Sequence, residues 1–178
     1  MGLNFYLGQV FSLFAWSVLL ISYWKNKDER ILYLQVISCI FFLLNYIFLG
    51  AYTGLFVIFF EIIRDILYIK FKNDRKIYML TIPIYILIGI FSYDRIWSIF
   101  SVLAALNDGY ALIYKGKRVV FLRIITYLLW MVYDLYCLNY MSVLAEIILI
   151  CSNIIVLIRG NDMINARKGE ISIGKVKQ

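Results

Sequence analysis

The stretch FYLGQVFSLFAWSVLLISYW, residues 5–24, is almost wholly apolar, and KNKDER, residues 25–30, follows it directly. A bilayer-spanning helix needs about 20 apolar residues, and charged clusters of this kind lie at the membrane surface. The whole chain has the same character, because 63% of its 178 residues are hydrophobic and only 16% are charged. A soluble fold of this size cannot hide so much apolar surface, so the sequence predicts an all-α integral membrane protein.

Six further apolar runs follow the first one, separated by short polar connections. They cover residues 31–49, 53–71, 77–91, 96–114, 119–138 and 140–158. The fourth run is short and contains the only proline, Pro83. The pattern predicts seven transmembrane helices.

The basic residues are distributed unevenly between the connections. Of the 18 Lys and Arg residues, 15 lie after helices one, three and five or in the C-terminal tail. Only Arg95 lies after helix two, four or six, and Arg64 and Arg123 lie within spans. Because positively charged loops stay in the cytoplasm, this asymmetry predicts an outside N-terminus and a cytoplasmic C-terminus. We therefore interpret the net charge of +7 as membrane topology and not as a nucleic-acid interface.

Motifs that support enzyme chemistry are absent from the sequence. The chain has no histidine, and Cys39, Cys137 and Cys151 lie singly in apolar runs. A catalytic serine motif and a Gly-rich phosphate loop are also missing. We therefore expect no catalytic residues, no metal site and no cofactor.

Polar side chains nevertheless fall inside the predicted spans, where a charge at the helix centre costs about 2.5–3.5 kcal/mol on insertion scales. Three of them share one face of helix three, at i, i+3 and i+4 spacing. Depth along the helices separates the polar residues into two groups. The predicted substrate-binding group comprises Glu61, Arg64, Asp65, Asn107, Asp108 and Asn153. The outer polar cluster comprises Asn45, Asp134 and Glu146.

These polar side chains admit two interpretations. They form a pathway for a solute, or they are interhelical hydrogen bonds that only hold the bundle together. Five acids against the single base Arg64 leave a formal excess of four negative charges, which favours water access or a cationic ligand. We therefore expect a transporter or facilitator of a small polar or cationic solute, with a membrane scaffold or accessory subunit as the alternative. The oligomeric state stays open.

The two halves of the chain align when one is shifted by 89 residues. The matched positions include residues 11–15 with 100–104, Asn45 with Asp134, and Arg64 with Asn153. Two three-helix units separated by one helix must have the same orientation, as in transporters with parallel repeats. We therefore expect two parallel three-helix bundles, a linking helix and a cytoplasmic tail. Their ranges are 1–72 and 96–160 for the bundles, 73–95 for the link and 161–178 for the tail.

Several short motifs resemble those of the bacterial inner-membrane YgjV family. They are Lys27-Asp28-Glu29-Arg30, Gln35, Ser38, LGAYTG at 49–54, Ile63-Arg64, Asn153-Ile154-Ile155 and Arg159. The family is similar in architecture to a wider group with a 3-1-3 helix order, which contains the SWEET sugar carriers and PnuC-type carriers. This similarity implies a central cavity with polar residues on helices three and seven, at the positions of Arg64 and Asn153. SWEET carriers favour Asn at the position of Arg64, which argues against sugar, and the YgjV resemblance itself implies no substrate.

Overall fold

The structure is a computed structural model that describes residues 2–23, 28–71, 75–93, 95–114 and 116–175. It confirms the all-α prediction and contains seven helices in these residues. They are α1 Leu3–Tyr23, α2 Asp28–Leu49, α3 Tyr52–Phe71, α4 Arg75–Phe91, α5 Ser98–Ala111, α6 Lys117–Tyr136 and α7 Tyr140–Lys175. Parts of the predicted basic loops lie outside the described residues, namely Lys25, Lys27, Lys72 and Lys115, as does the end of the tail at 176–178.

Two helices differ in length from the predicted spans. α5 is regular over only 14 residues, but tight turns extend it at both ends. Ser98 N donates to Arg95 O at 2.9 Å, and Tyr114 N donates to Ala111 O at 3.1 Å, the spacing of a 3₁₀ turn. α7 continues beyond the expected end at 158, because no proline interrupts the residues that follow.

Within the residues that the structure describes, length and composition identify three segments that can cross a membrane. They are Leu3–Ile21, Lys117–Tyr136 and Tyr140–Arg159. The apolar segments Tyr33–Leu49 and Lys76–Phe91 are shorter. α3 has sufficient length, at 20 residues, but it carries the charges of Glu61, Arg64 and Asp65.

The distribution of apolar and charged side chains is the reverse of that in a soluble domain. Large apolar side chains face outward, and Leu80, Phe121 and Ile148 are each more than half exposed. Charged side chains are instead buried, and Arg64 and Glu146 are each only 2% exposed. Such an exterior requires an apolar solvent, which a bilayer provides.

The contacts between helices form a closed ring. Consecutive helices pack against one another, α7 also contacts α1, and α3 contacts α5 directly. α4 lies outside this ring, where in the part of the chain that the structure describes it contacts α3 and α5. Glycines permit close approach at two points, since Gly89 on α4 faces Val102 and Gly54 on α3 faces Tyr133.

The α2–α3 and α6–α7 turns have the same backbone geometry. Gly50 has a φ of +69° and Leu138 a φ of +58°. The next residues, Ala51 and Asn139, each donate a backbone N–H to the carbonyl five residues earlier, at 3.0 and 2.9 Å. This is the Schellman pattern that ends helices. The turns are 88 residues apart, one fewer than the offset of 89 expected between the two halves.

Candidate functional site

Arg64 lies at the contact between α3 and α5 and binds two carboxylates. Its Nε donates to Asp65 Oδ1 at 3.0 Å, and its Nη2 donates to Asp108 Oδ2 at 2.8 Å. Nη1 donates to the backbone oxygen of Ala105 at 3.3 Å. The Arg64 and Asp65 side chains are 2% and 5% exposed, while that of Asp108 is 29% exposed. One guanidinium therefore joins two helices, and Asp108 is the partly exposed member of the joint.

A third carboxylate lies beside this joint but is not hydrogen-bonded by it. Glu61 Oε1 is 3.9 Å from Arg64 Nη1, one turn away on the same helix. This oxygen is buried and has no hydrogen-bond partner. Arg64 therefore neutralises part of the acidic group around it, and Glu61 is the acid that it reaches least well.

A second polar cluster surrounds Asn139, at the start of α7. Its Nδ2 donates to Asp134 Oδ1 at 3.1 Å and to Ser142 Oγ at 2.8 Å. The same amide reaches Asn45 on α2, at 3.0 Å to Asn45 Oδ1. Asn45 Nδ2 in turn donates to the Gly8 carbonyl on α1 at 2.8 Å. These bonds connect α1 and α2 to the α6–α7 turn. We call this end of the ring, where the α6–α7 turn lies, the turn end.

Asp134 and Glu146 extend this cluster toward the middle of the ring. Tyr46 OH donates to Asp134 Oδ1 at 2.9 Å. The neighbouring acids Asp134 and Glu146 interact electrostatically. Among the residues that the structure describes, the buried Glu146 Oε2 has no hydrogen-bond partner.

Neutral hydrogen bonds hold the contact between α1 and α7. The hydroxyls of Ser12 and Ser142 are 2.8 Å apart, and Trp16 Nε1 donates to Ser142 Oγ at 3.1 Å. Gln9 Nε2 donates to the Leu138 carbonyl at 3.0 Å, and its Oε1 accepts from Met141 N at 3.0 Å. No charged group takes part in these four bonds.

A pocket in the middle of the ring connects the two clusters. The volume open to the centres of water molecules is about 100 Å³, which is room for several waters or part of a small solute. All six ring helices contribute to its lining, and its polar or charged members include Gln35, Ser38, Glu61, Arg64, Asp65, Asp108, Thr126, Asp134 and Glu146. Its apolar and aromatic members are Trp16, Leu19, Cys39, Phe42, Tyr46, Ile58, Tyr127 and Trp130.

Three of the residues grouped from the sequence lie away from the pocket lining. Asn107 Nδ2 donates to the Leu122 carbonyl at 2.7 Å and to Thr126 Oγ1 at 2.9 Å, which joins α5 to α6. Asn153 Nδ2 donates to the Leu149 carbonyl of its own helix at 2.8 Å. Asn45 serves the turn end, as described above. The other six predicted site residues all line the pocket.

Other residues at the site escaped the sequence reasoning. Asn139 was counted as part of a connection, and Ser142 has no charge to single it out. Trp16 and Trp130 fit general helix packing as well as a pocket wall. The sequence offers one signal for these residues, which is Asn139 itself. An amide between two predicted spans lies next to the apolar region, where it needs hydrogen-bond partners.

The described residues contain no group of three or more His, Cys, Asp or Glu side chains placed to hold a metal ion. The carboxylates at the pocket are arranged in pairs, with Asp65 and Asp108 on Arg64, and Asp134 beside Glu146. These groups can form ion pairs and hydrogen bonds and can exchange protons.

An apolar exterior around buried polar groups defines a helical membrane protein. Residues 6–164 match the model of the Imp-YgjV family, which is described as a bacterial inner membrane protein. The chain belongs to this family, which confirms the resemblance found in the sequence. Neither the curated proteins nor the solved structures contain a match to the chain.

Proposed function

We propose that the protein is a small-molecule transporter or facilitator whose solute binds in the central pocket. The observation that carries this proposal is the convergence of six ring helices on one pocket lined by five acids and one base. Charges inside a membrane protein usually line a substrate or ion path, because burying them against lipid is costly. The partners are then the bilayer and a small polar or cationic solute, with no role for nucleic acid and no catalytic step.

The proposed architecture is seven membrane spans in two parallel three-helix bundles, α1–α3 and α5–α7, with α4 as the link. Two observations support it. The ring of contacts is unchanged when α1, α2 and α3 are exchanged for α5, α6 and α7. The matching turns at Gly50 and Leu138 give a repeat of 88 residues. With this offset, Tyr46 corresponds to Asp134, and Asp65 corresponds to Asn153.

The proposed orientation places the N-terminus outside and the C-terminus in the cytoplasm, from the distribution of basic residues. In this orientation the turn end faces outward. The hydrogen bonds around Asn139 close the pocket there, and the partial exposure of Asp108 opens it toward the cytoplasm. This is the geometry of an inward-open carrier, and alternating access requires those outer bonds to break.

The alternative is a scaffold or accessory subunit, and a specific observation favours it. Asn45 and Asn107 have hydrogen bonds to neighbouring helices, as expected for residues that only hold helices together. A scaffold needs no ligand, so the two functions differ in whether any solute binds the pocket.

The test is thermal unfolding of the detergent-purified protein against a panel of cationic, neutral and anionic metabolites. A solute present at 100 times its dissociation constant stabilises the fold by about 2.7 kcal/mol. We expect one class of solute to raise the unfolding temperature of the wild type. Trp130→Leu removes part of the pocket wall whatever the charge of the solute, and it should abolish that shift.

Trp97→Leu is the matched control, because Trp97 is 43% exposed and does not line the pocket. It should keep the shift that Trp130→Leu loses. A panel in which no solute stabilises the wild type, with both variants merely less stable, would support the scaffold. Arg64→Ala is a poor test here, because it removes the partner of two carboxylates and lowers stability under either function.

A further inference from the structure

Two carboxyl oxygens at the pocket are buried and have no hydrogen-bond partner among the residues that the structure describes. They are Oε1 of Glu61 on α3 and Oε2 of Glu146 on α7, in residues that are 6% and 2% exposed. Buried polar atoms in proteins are nearly always paired, because an unpaired one keeps its full desolvation penalty. Unpaired acceptors in a pocket indicate a ligand that donates hydrogen bonds.

Each of the two glutamates lies beside other acids of the pocket. Glu146 lies near Asp134, whose Oδ1 accepts hydrogen bonds from Tyr46 and Asn139. Arg64 is already bonded to Asp65 and Asp108, and its Nη1 approaches Glu61 only to 3.9 Å. Among the three acids around Arg64, Glu61 is therefore the one whose charge is least compensated.

Aromatic rings form the apolar wall of the same pocket. Tyr46 and Trp130 stack with their centroids 6.0 Å apart and their planes 22° apart, and Trp16 lies beside Phe42 at 5.2 Å. Hydrogen bonds from Tyr46 to Asp134 and from Trp16 to the α7 hydroxyl fix the orientation of both rings. Ring faces attract organic cations, and Trp does so most strongly.

Inorganic cations need a different site from this one. Hard cations prefer six or more oxygen ligands, and a single glutamate with aromatic neighbours supplies too few. An organic ammonium ion fits better, because its N–H groups bond to a carboxylate while its carbon atoms contact rings.

We propose that the pocket selects a small organic cation, whose ammonium group binds Glu61 and whose apolar part lies against Trp16 and Trp130. This inference rests on the proposed function, since it names the class of solute that the pocket takes. The stack of Tyr46 and Trp130 limits the apolar part to the size of about one ring.

Three matched compounds test this selectivity on the intact protein. They are 2-phenylethylamine, the neutral 2-phenylethanol and the anionic phenylacetate, and binding is followed by thermal shift and by tryptophan fluorescence. We expect the amine to bind the wild type at least about tenfold more tightly than the alcohol. The reason is the charge-assisted hydrogen bond between the ammonium group and Glu61, which the alcohol cannot form. Phenylacetate should not bind, because the pocket is already rich in carboxylates.

Glu61→Gln keeps the side-chain shape and removes the charge. It should bring the affinities for the amine and the alcohol within about threefold of each other. Ser17→Ala is the control and should keep the wild-type preference, because Ser17 is exposed, bonds only within its own helix and does not line the pocket. Equal binding of amine and alcohol to the wild type, or binding of neither, would overturn the inference without any need for the variant to fold. A neutral or anionic metabolite whose shift is lost in Trp130→Leu would keep the proposed function and exclude the organic cation.

Discussion

The two contacts that close the ring occupy equivalent places but use different chemistry. Between α3 and α5, the charged bridge is Arg64, which donates to Asp108 across the contact and to Asp65 on its own helix. Thr53 Oγ1 also donates to Ser98 Oγ at 3.2 Å. Between α7 and α1, the bridge is Ser142 with Ser12 and Trp16, all neutral groups. Neutral hydrogen bonds are therefore sufficient to close such a contact in this ring.

The difference between the two contacts distinguishes neutral polar groups, which only hold helices together, from charged groups, which leave an excess of negative charge. Each bridge has a glutamate nearby with a buried oxygen that lacks a hydrogen-bond partner among the described residues, Glu61 on α3 and Glu146 on α7. Only the α3–α5 bridge is itself charged. The variants below test whether the two contacts differ as their chemistry requires.

The largest effect is expected from Arg64→Ala. Removing one partner of a buried ion pair typically costs about 3–5 kcal/mol, since it leaves the other charges buried and unpaired. Unfolding of the purified protein by heat or denaturant measures the loss. A control that also carries Asp65→Asn and Asp108→Asn removes the uncompensated charges and should recover most of the stability. A loss from Arg64→Ala below about 1 kcal/mol would mean that pocket water already screens these charges.

Gly54→Ala is expected to have the next largest effect. An added Cβ would lie 2.8 Å from Tyr133 Cε1, while Gly54 N donates to Tyr133 OH at 2.8 Å. The hydrogen bond fixes the position of the Tyr133 ring, so the ring cannot move away from an added methyl group. This overpacking should lower the free energy of unfolding by about 1–3 kcal/mol. Gly2→Ala is the control, because an added Cβ there meets no atom within 4 Å. A Gly54→Ala variant as stable as the control would show that α3 and α6 can separate freely.

Ser142→Ala tests the neutral bridge at the third residue of α7, the position that Gly54 has in α3. The variant leaves Trp16 Nε1 and Ser12 without their partner, and we expect a loss of about 1 kcal/mol. Equilibrium unfolding measures it, and Ser17→Ala is the control, because Ser17 is exposed and bonds only within its own helix. A loss as large as that of Arg64→Ala would remove the distinction between the two bridges.

The sequence predicted the seven helices because the bilayer imposes length and apolar composition on each of them. It also grouped Arg64 with Asp65 and Asp108, which the structure brings into contact. It did not predict that Asn153 would bond to its own helix, since a helical side chain reaches several partners that only packing selects. Asn139 was missed, and the spacing of 88 residues between the two turns differs by one from the offset of 89 expected for the two halves. Both depend on turn geometry, which apolar patterns do not encode.

The smallest effect is expected at the α2–α3 and α6–α7 turns, which differ in the residue that has a positive φ. Gly50 and Leu138 both have positive φ, but only glycine adopts that conformation without strain. Leu138 is 47% exposed, so its side chain contributes little burial to offset a strain of about 1 kcal/mol. Leu138→Gly should therefore raise the stability slightly, by up to about 1 kcal/mol, and Gly50→Ala should lower it by a similar amount. Thermal unfolding measures the stability of both variants against the wild type. If Leu138→Gly were less stable than the wild type, the side-chain contacts of Leu138 would stabilise the α6–α7 turn by more than its backbone strain costs.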